Sequence, residues 1–388
     1  MMRGLSKGFY LRRLTRKAGR MRSVAVGQTL DGTSPPSVFI GRAGYPKVLA
    51  GPLLTPQHGD TTNLDAPERW LSARKIADIV GFRLNLVRGK QLLDIHDTDS
   101  KYVSQLQDIA LSRASPDTDA QFEKAPRGVT FNMDHSPFGP SGQIKELAVG
   151  NAKWDHELER AYHDTDLLAA EAVPELHRQN VAFSKIQKAF SAGTMGLGKN
   201  RKLVPTRWSI TAVDSILADR LLDKVKEYAP IDSFQVYRYR ALKNSFTVLL
   251  TPTHWQYEWM EAFIHVMGRE EVIFSDSEPY HGKKSYSSVG GCYYSVKFAA
   301  LEALARMKKQ AGVLVFREAY QGYVPTGVWL CREETRQALQ QQPEQFNDKE
   351  AALDSIAGQL ALPLQQFQAS ARLLRTLGAQ RRLDAFAK

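Results

Sequence analysis

Five polar side chains able to bind or move charge crowd into residues 202–214: Lys202, Arg207, Ser209, Thr211 and Asp214. They fall where a long helix is expected to begin. Ile210, Val213, Leu217, Leu221 and Val225 form one apolar stripe through Ser209–Tyr228, and Pro230 stops it. A helix start leaves backbone N–H groups without intrahelical partners and carries the positive end of the dipole. The cluster therefore suits a phosphate or nucleotide, with Arg207 as a bidentate donor and Asp214 as a catalytic candidate. Ordinary capping is the competing reading, since Thr211 and Asp214 resemble a capping box with Asp in place of Glu. Gly290-Gly291, ahead of a second expected helix, would let a backbone approach phosphate, or would simply make a tight turn.

Asp164, Asp166, Asp276, Glu278 and Glu318 are the carboxylates that could hold Mg²⁺ for nuclease-type chemistry, with Asp164, Asp166 and Glu318 as further catalytic candidates. They are scattered along the chain, as ion-paired or solvated acids also are. The nine histidines contain no HExxH pattern, and two cysteines are too few for a zinc cage, so no zinc site is expected. Cys292 and Cys331 read as small core residues. Tyr293 and Tyr294 could stack on bases, but aromatics at a helix start more often belong to a core.

The net charge of +11 sits at the ends. Residues 1–25 carry eight basic side chains and no acid, while residues 371–388 carry five against Asp384. Subtracting +8 and +4 from +11 leaves residues 26–370 at −1. The N-terminal arm, with Leu11, Leu14, Ala18 and Met21 at helical spacing, suits phosphate contacts through Arg12, Arg13, Arg16, Lys17 and Arg20. An organelle transit peptide or a solvated terminus has the same composition. The tail reads Gln380-x-x-Leu383-x-x-Phe386. One helical turn would bring Leu383 and Phe386 together as an apolar plug with Gln380 at its rim. This pattern is similar to the peptides that dock on replication sliding clamps.

The elements that must position these residues read as a mixed α/β or α+β core with flanking helices and a helical C-terminal extension. Strands are expected at Val38–Ile40, Phe234–Tyr239, Phe246–Leu250, Val272–Phe274 and Val313–Phe316. Helices are expected over residues 66–80, 100–112, Ser209–Tyr228, Trp255–Met267 and from Gly290-Gly291 to about Lys309. The expected domains are a basic arm (1–32), a core (33–335), a helical extension (336–378) and a clamp-binding-like tail (379–388). No stretch nears the roughly 18 apolar residues of a membrane span.

Several longer segments resemble the Nre family of archaeal DNA-repair proteins: Ser34–Lys47, Leu64–Glu68, Asp164–Leu167, Arg201–Asp214, Gly290–Tyr294 and Val315–Glu318. The resemblance spans residues 33 to 335. Archaeal members tend to begin with a Cys-rich segment, which the basic arm replaces here. The resemblance implies a role in repairing DNA damage with the sliding clamp as partner; two cysteines and no membrane-length apolar run lead to the expectation of a cytoplasmic, nucleoid-associated location and no membrane partner. DNA is the expected partner of the basic arm. A nucleotide is a further candidate partner. Two alternatives stay open: an enzyme acting on a nucleotide or nucleotide-like DNA adduct around Arg207 and Asp214, and a non-catalytic clamp adaptor.

Overall fold

The structure, a computed structural model, describes residues 7–18, 23–71, 75–132 and 134–379. Its chain divides into two units: Leu11–Leu217 with Val324–Leu330, and Met1–Tyr10 and Ala218–Tyr323 with Cys331–Lys388. The basic arm forms α1 (Lys7–Ala18).

The first unit is built on six strands: β1 (Thr29–Thr33), β2 (Val38–Ile40), β3 (Lys47–Leu54), β4 (Val87–Asp94), β5 (Asp117–Phe122) and β6 (Ser141–Gly150). Their order is β1-β5-β6-β4-β3-β2, with β4 and β6 parallel and the other neighbours antiparallel. Of these, sequence pattern had indicated only β2. The rest contain Gly, Lys, Asp and Gln at inward and outward positions, so β-propensity is weak and pairing decides. The helices are α2 (Ile76–Leu84), α3 (Lys101–Leu111), α4 (His156–His163), α5 (Ala169–Arg178), α6 (Phe183–Ser191) and the start of α7 (Thr206–Lys226). Helix α3 turns Val103, Leu106 and Ala110 onto Val38, Ile40, Val48 and Ala50 of the sheet, at the helical spacing expected for 100–112. In place of one helix over 66–80 stand a 3-10 turn, Pro67–Arg69, which follows another at Thr62–Asp65, and the start of α2.

The second unit holds β7 (Phe234–Ala241), β8 (Asn244–Thr251), β9 (Gln256–Ile264), β10 (Glu271–Glu278), β11 (Gly312–Ala319) and β12 (Glu344–Phe346), ordered β10-β9-β11-β8-β7-β12. Helix α8 (Gly291–Met307) covers one face; α9 (Trp329–Ala338), α10 (Lys349–Ala357), α11 (Leu364–Ser370) and α12 (Arg372–Ala379) are the remaining helices among the described residues. Ala352, Ile356, Phe367 and Leu374 pack on Val236, Leu249, Met260, Leu314 and Phe316 of the opposite face.

One expected element is overturned. The stretch Trp255–Met267 holds strand β9 (Gln256–Ile264), not a helix. Eight of its nine residues are buried, so the period-2 alternation that marks a half-exposed strand is erased. Glu258 and Glu261, three apart, imitate a helical polar stripe, yet they face opposite sides of the sheet. Glu258 accepts the N–H groups of Arg372, Leu373 and Leu374 at 2.6–3.1 Å, capping α12.

In the first unit a buried carboxylate joins four segments. Asp65 pairs with Arg83 and with Lys188 (2.9 Å), and accepts from the Ser37 hydroxyl. Arg83 also donates to Pro137 O (2.7 Å) and Leu64 O (3.2 Å). Burial alone would push the Asp65 carboxyl up, but Arg83 and Lys188 outweigh it and hold it at about 2. Its folded value lies below its unfolded one, so its stabilisation is present at neutral pH and lost as pH falls from about 4 to 2. Asp65→Asn is expected to cost about 3–5 kcal/mol in urea unfolding at pH 7, because two cations lose their partner. The variant should also show a flatter loss of stability between pH 4 and 2. Equal pH dependence in both proteins would remove Asp65 as the hub.

Candidate functional site

The first unit brings two of the distinctive sequence segments, Ser34–Lys47 and Arg201–Asp214, onto one face. Thr206 Oγ1, at the start of α7, accepts the N–H of Ile40 at the end of β2 (2.9 Å). Pro46 O accepts from Ile95 N (3.1 Å), and Ile95 O from Leu203 N (2.8 Å). These bonds hold the β2–β3 turn against the approach to α7. The result is an aromatic pair: the rings of Tyr45 and Trp208 lie 4.9 Å apart, tilted by 55°. Both stay in solvent, at 42% and 43% exposure, although large aromatics normally bury. Arg42 and Lys47 on the Tyr45 turn, and Lys202 ahead of α7, are exposed. Asp94 stands opposite Lys47 in the β3–β4 ladder.

The same unit holds a cationic, aromatic interior at the base of the β2–β3 strand pair. The Arg88 guanidinium sits 4.3 Å from the Phe39 ring centre and 5.5 Å from that of Phe138, and donates to Leu49 O at 2.7 Å. No carboxylate among the described residues pairs with it, and burial lowers its pKa to about 10. His135 packs edge-on to Phe39 at 4.7 Å; burial pushes it down to about 4, so it is neutral at physiological pH. Close approach of β3 and β4 builds this interior, because a Cβ at Gly51 would lie 2.0 Å from Gly89 O.

The predicted phosphate cluster is arranged differently from a bare helix start. Arg207 Nε pairs with Asp134 at 2.9 Å. The hydroxyls of Ser209 and Thr211 donate back to Thr206 O (3.0 Å) and Arg207 O (3.3 Å), and Asp214 is fully buried. The Thr211–Asp214 capping box does not form, because α7 starts at Thr206 and leaves Thr211 more than a turn inside. Lys202 remains exposed.

The acidic candidates are apart, and most are held by protein donors. Asp164 and Asp166 are exposed on the loop after α4, where Asp164 Oδ1 accepts from Asp166 N and Leu167 N. Glu318 accepts from Ala361 N, Leu362 N and the Tyr320 hydroxyl. Asp276 accepts from Lys283, Ser287 and Ser288. Glu278 pairs with Lys297 at 2.8 Å and accepts from Trp255 and Tyr293. No group of three His, Cys, Asp or Glu among the described residues could hold a metal ion. Gly290, at φ 78°, makes the turn into α8, while Gly291, Cys292 and Tyr293 are buried and Tyr294 is half-buried. These residues belong to the second unit, not to the unit of Arg207.

The second unit has its own polar interior, on the α8 face of the sheet. Glu261 pairs with Lys7 and with Arg317 (3.1 Å), and Arg317 also donates to Asn244 (3.0 Å). Lys7 donates to Val289 O as well. The Cys292 and Cys331 sulfurs lie 3.4 Å apart. Glu334, fully buried on α9, has no hydrogen-bond partner for either carboxylate oxygen among the described residues, and burial pushes it well above the usual carboxylate range despite nearby Arg317. None of Lys7, Glu261 or Glu334 was singled out by sequence. A lone Glu in a helix and a Lys in a basic arm carry no mark of burial.

Arg12, Arg13, Arg16 and Lys17 fall on α1, with Arg13 exposed; Arg20 lies outside the described residues, as do Gln380, Leu383 and Phe386 of the tail. Sequence reasoning did not single out Tyr45 and Trp208, although both stand inside the segments it quoted. An aromatic beside Gly or Arg was the available signal. No helix among the described residues is long and apolar enough to cross a membrane.

Comparisons with known proteins cover both units. Residues 5–266 match the family described as archaeal Nre, N-terminal, and residues 278–386 match archaeal Nre, C-terminal. The chain is 40% identical over 337 residues to the DNA repair protein NreB of Archaeoglobus fulgidus, covering 85% of each chain. It is 33% identical over 344 residues to DNA repair protein NreA of the same organism, covering 87% of each. With DNA repair protein NreA of Haloferax volcanii it shares 28% identity over 341 residues, 83% of this chain and 80% of the other. No solved structure matches.

Glu334 offers a direct check on the second interior. Its folded pKa is raised, so its burial costs nothing below the unfolded value and destabilises as pH rises above it. Glu334→Gln should stabilise the protein at pH 8 by roughly 1–3 kcal/mol, the scale of an unsatisfied buried polar group. The gain should vanish near pH 4.5. A variant that is destabilised equally at both pH values would show that the carboxylate is satisfied.

Proposed function

The chain belongs to the archaeal Nre family, and on that premise we propose that it works in DNA repair, binding single-stranded DNA on the face around Tyr45 and Trp208 and reaching the replication clamp through its tail. The observation that carries this reading is the exposed Tyr45–Trp208 pair rimmed by Arg42, Lys47 and Lys202. Every base has a π-face, so exposed aromatics bind unpaired bases without regard to sequence, while lysines and arginines follow the backbone. In a duplex both faces of a base are already stacked. Arg88, buried on β4 without a carboxylate partner among the described residues, adds to the positive charge of the same unit. The basic arm extends the charge available for phosphate contacts. Three relatives bear the name DNA repair protein, which agrees with a role at damaged DNA.

Recruitment is the second half of the reading. Gln380, Leu383 and Phe386 have the spacing of a one-turn apolar plug, and the tail's arginines suit an acidic clamp surface.

Two measurements test the two halves separately. In fluorescence anisotropy with a single-stranded oligonucleotide, Trp208→Ala should weaken binding about 5- to 150-fold, the worth of one stacked base at ~1–3 kcal/mol. Lys202→Ala should instead reduce the salt slope by about one. Unchanged affinity in Trp208→Ala would retire this face as the DNA contact. In calorimetry against the host clamp, the Gln380→Ala/Phe386→Ala double variant should bind at least about tenfold more weakly. Equal binding of both proteins, or none by either, would leave the tail without this role.

A further inference from the structure

We propose that Cys292 and Cys331 form a reversible thiol–disulfide site in the second unit, oxidised by a hydroperoxide, with Cys292 as the attacking sulfur. The chain has two cysteines, 39 positions apart, and the fold sets their sulfurs 3.4 Å from one another. A disulfide bond is ~2.05 Å long, so closing it requires a shift of little more than an ångström shared between two side chains. Two thiols packed only as core fillers need no charged company. Here the surroundings are charged: Lys7 bonds to Val289 O, three residues before Cys292, and pairs with Glu261, which also pairs with Arg317.

This environment treats the two sulfurs unequally. Cys292 stands in the first turn of α8, where helix N–H groups favour a thiolate. The Cys331 thiol donates to it, and this bond with the positive charge of Lys7 and Arg317 outweighs burial and Glu261, holding the Cys292 thiol below its ordinary range. Burial pushes Cys331 well above its range, so it stays protonated and reacts second. That division matches an attacking and a resolving cysteine.

The chemistry balances as follows. The Cys292 thiolate attacks one oxygen of hydrogen peroxide; an S–O bond forms, the O–O bond breaks, and the departing hydroxide takes up a proton to leave as water. The Cys331 sulfur then attacks the sulfenic acid; the S–S bond forms, the S–O bond breaks, and the Cys331 proton leaves with the oxygen as a second water. The thiols lose two electrons, which the peroxide gains. A small thiol reductant reverses the process by thiol–disulfide exchange. The product would staple α8 to α9.

The full chain, reduced and then exposed to hydrogen peroxide, is to be analysed by intact mass after acid quenching and alkylation. Oxidation should abolish both alkylation adducts, lower the mass of the unalkylated chain by about 2 Da, yield a Cys292–Cys331 linked peptide, and reverse with dithiothreitol. In Cys331→Ser, one dimedone adduct on Cys292 is expected; in Cys292→Ser, Cys331 should react at least about tenfold more slowly. Retention of both adducts in the peroxide-treated wild type, or linkage only between different molecules, overturns the proposal. So does trapping at Cys331 rather than Cys292. Should a serine variant misfold by circular dichroism, the wild-type mass and linked peptide decide alone.

Discussion

A charge removed from water must be given a partner in the interior, and the second unit is organised by that constraint. Strands β9 and β11 are buried on both faces, yet they carry Glu258, Glu261, Arg317 and Glu318. An unpaired ion in such a place costs several kcal/mol, so each one recruits a separate segment of the chain. Glu258 recruits the start of α12, Glu318 the backbone at 361–362, and Glu261 the first residue of α1 together with Arg317. Buried ions of this kind add little net stability over an apolar packing. They do forbid alternatives, because any other register would leave a carboxylate alone. The start of α1 and the C-terminal helices are thereby tied to the sheet by specific bonds rather than by apolar contact alone.

The first unit solves the same problem with one hub. Asp65 holds Arg83, Lys188 and Ser37, and so relates the 3-10 turns, α2, α6 and the lead into β2. Once β2 is fixed, the turn that follows it, with Tyr45, is fixed against α7 through Thr206. The exposed aromatic face is thus a consequence of a buried ion cluster and a short backbone ladder. Rigid support behind an exposed surface would keep the entropy cost of the proposed binding low.

The sequence was most legible where a helix keeps one wet face or where a strand is an unbroken β-branched and aromatic run. Helices α3 and α7 announce themselves by apolar spacing, and β7, β8 and β11 by β-branched and aromatic runs between turn signals. It was least legible where acids interrupt a buried strand or where pairing, not propensity, makes the strand. In β9 the spacing of Glu258 and Glu261 along a buried strand imitated a helix. In the first sheet, β1, β4, β5 and β6 carry Asp, Lys and Gln within the ladder and so look like loops. The division into units was also hidden, since the chain passes from one to the other inside α7, where composition does not change. At the candidate site, the Arg201–Asp214 segment pointed to the correct helix start, but Asp134, which pairs with Arg207, is a distant residue with no motif around it.

Taken alone, the sequence determined the family, the mixed α/β class, the helical C-terminal part, the charged ends and the tail motif. All of these follow from local patterns or from strings of residues long enough to be specific. Tertiary structure alone decided that Tyr45 meets Trp208, that Lys7 is buried against Glu261, and that Cys292 faces Cys331. The physical reason is range. Helical periodicity and turn chemistry act over a few residues, whereas these three contacts join residues far apart in the chain, and their existence depends on the pairing of strands and the burial of charge between them.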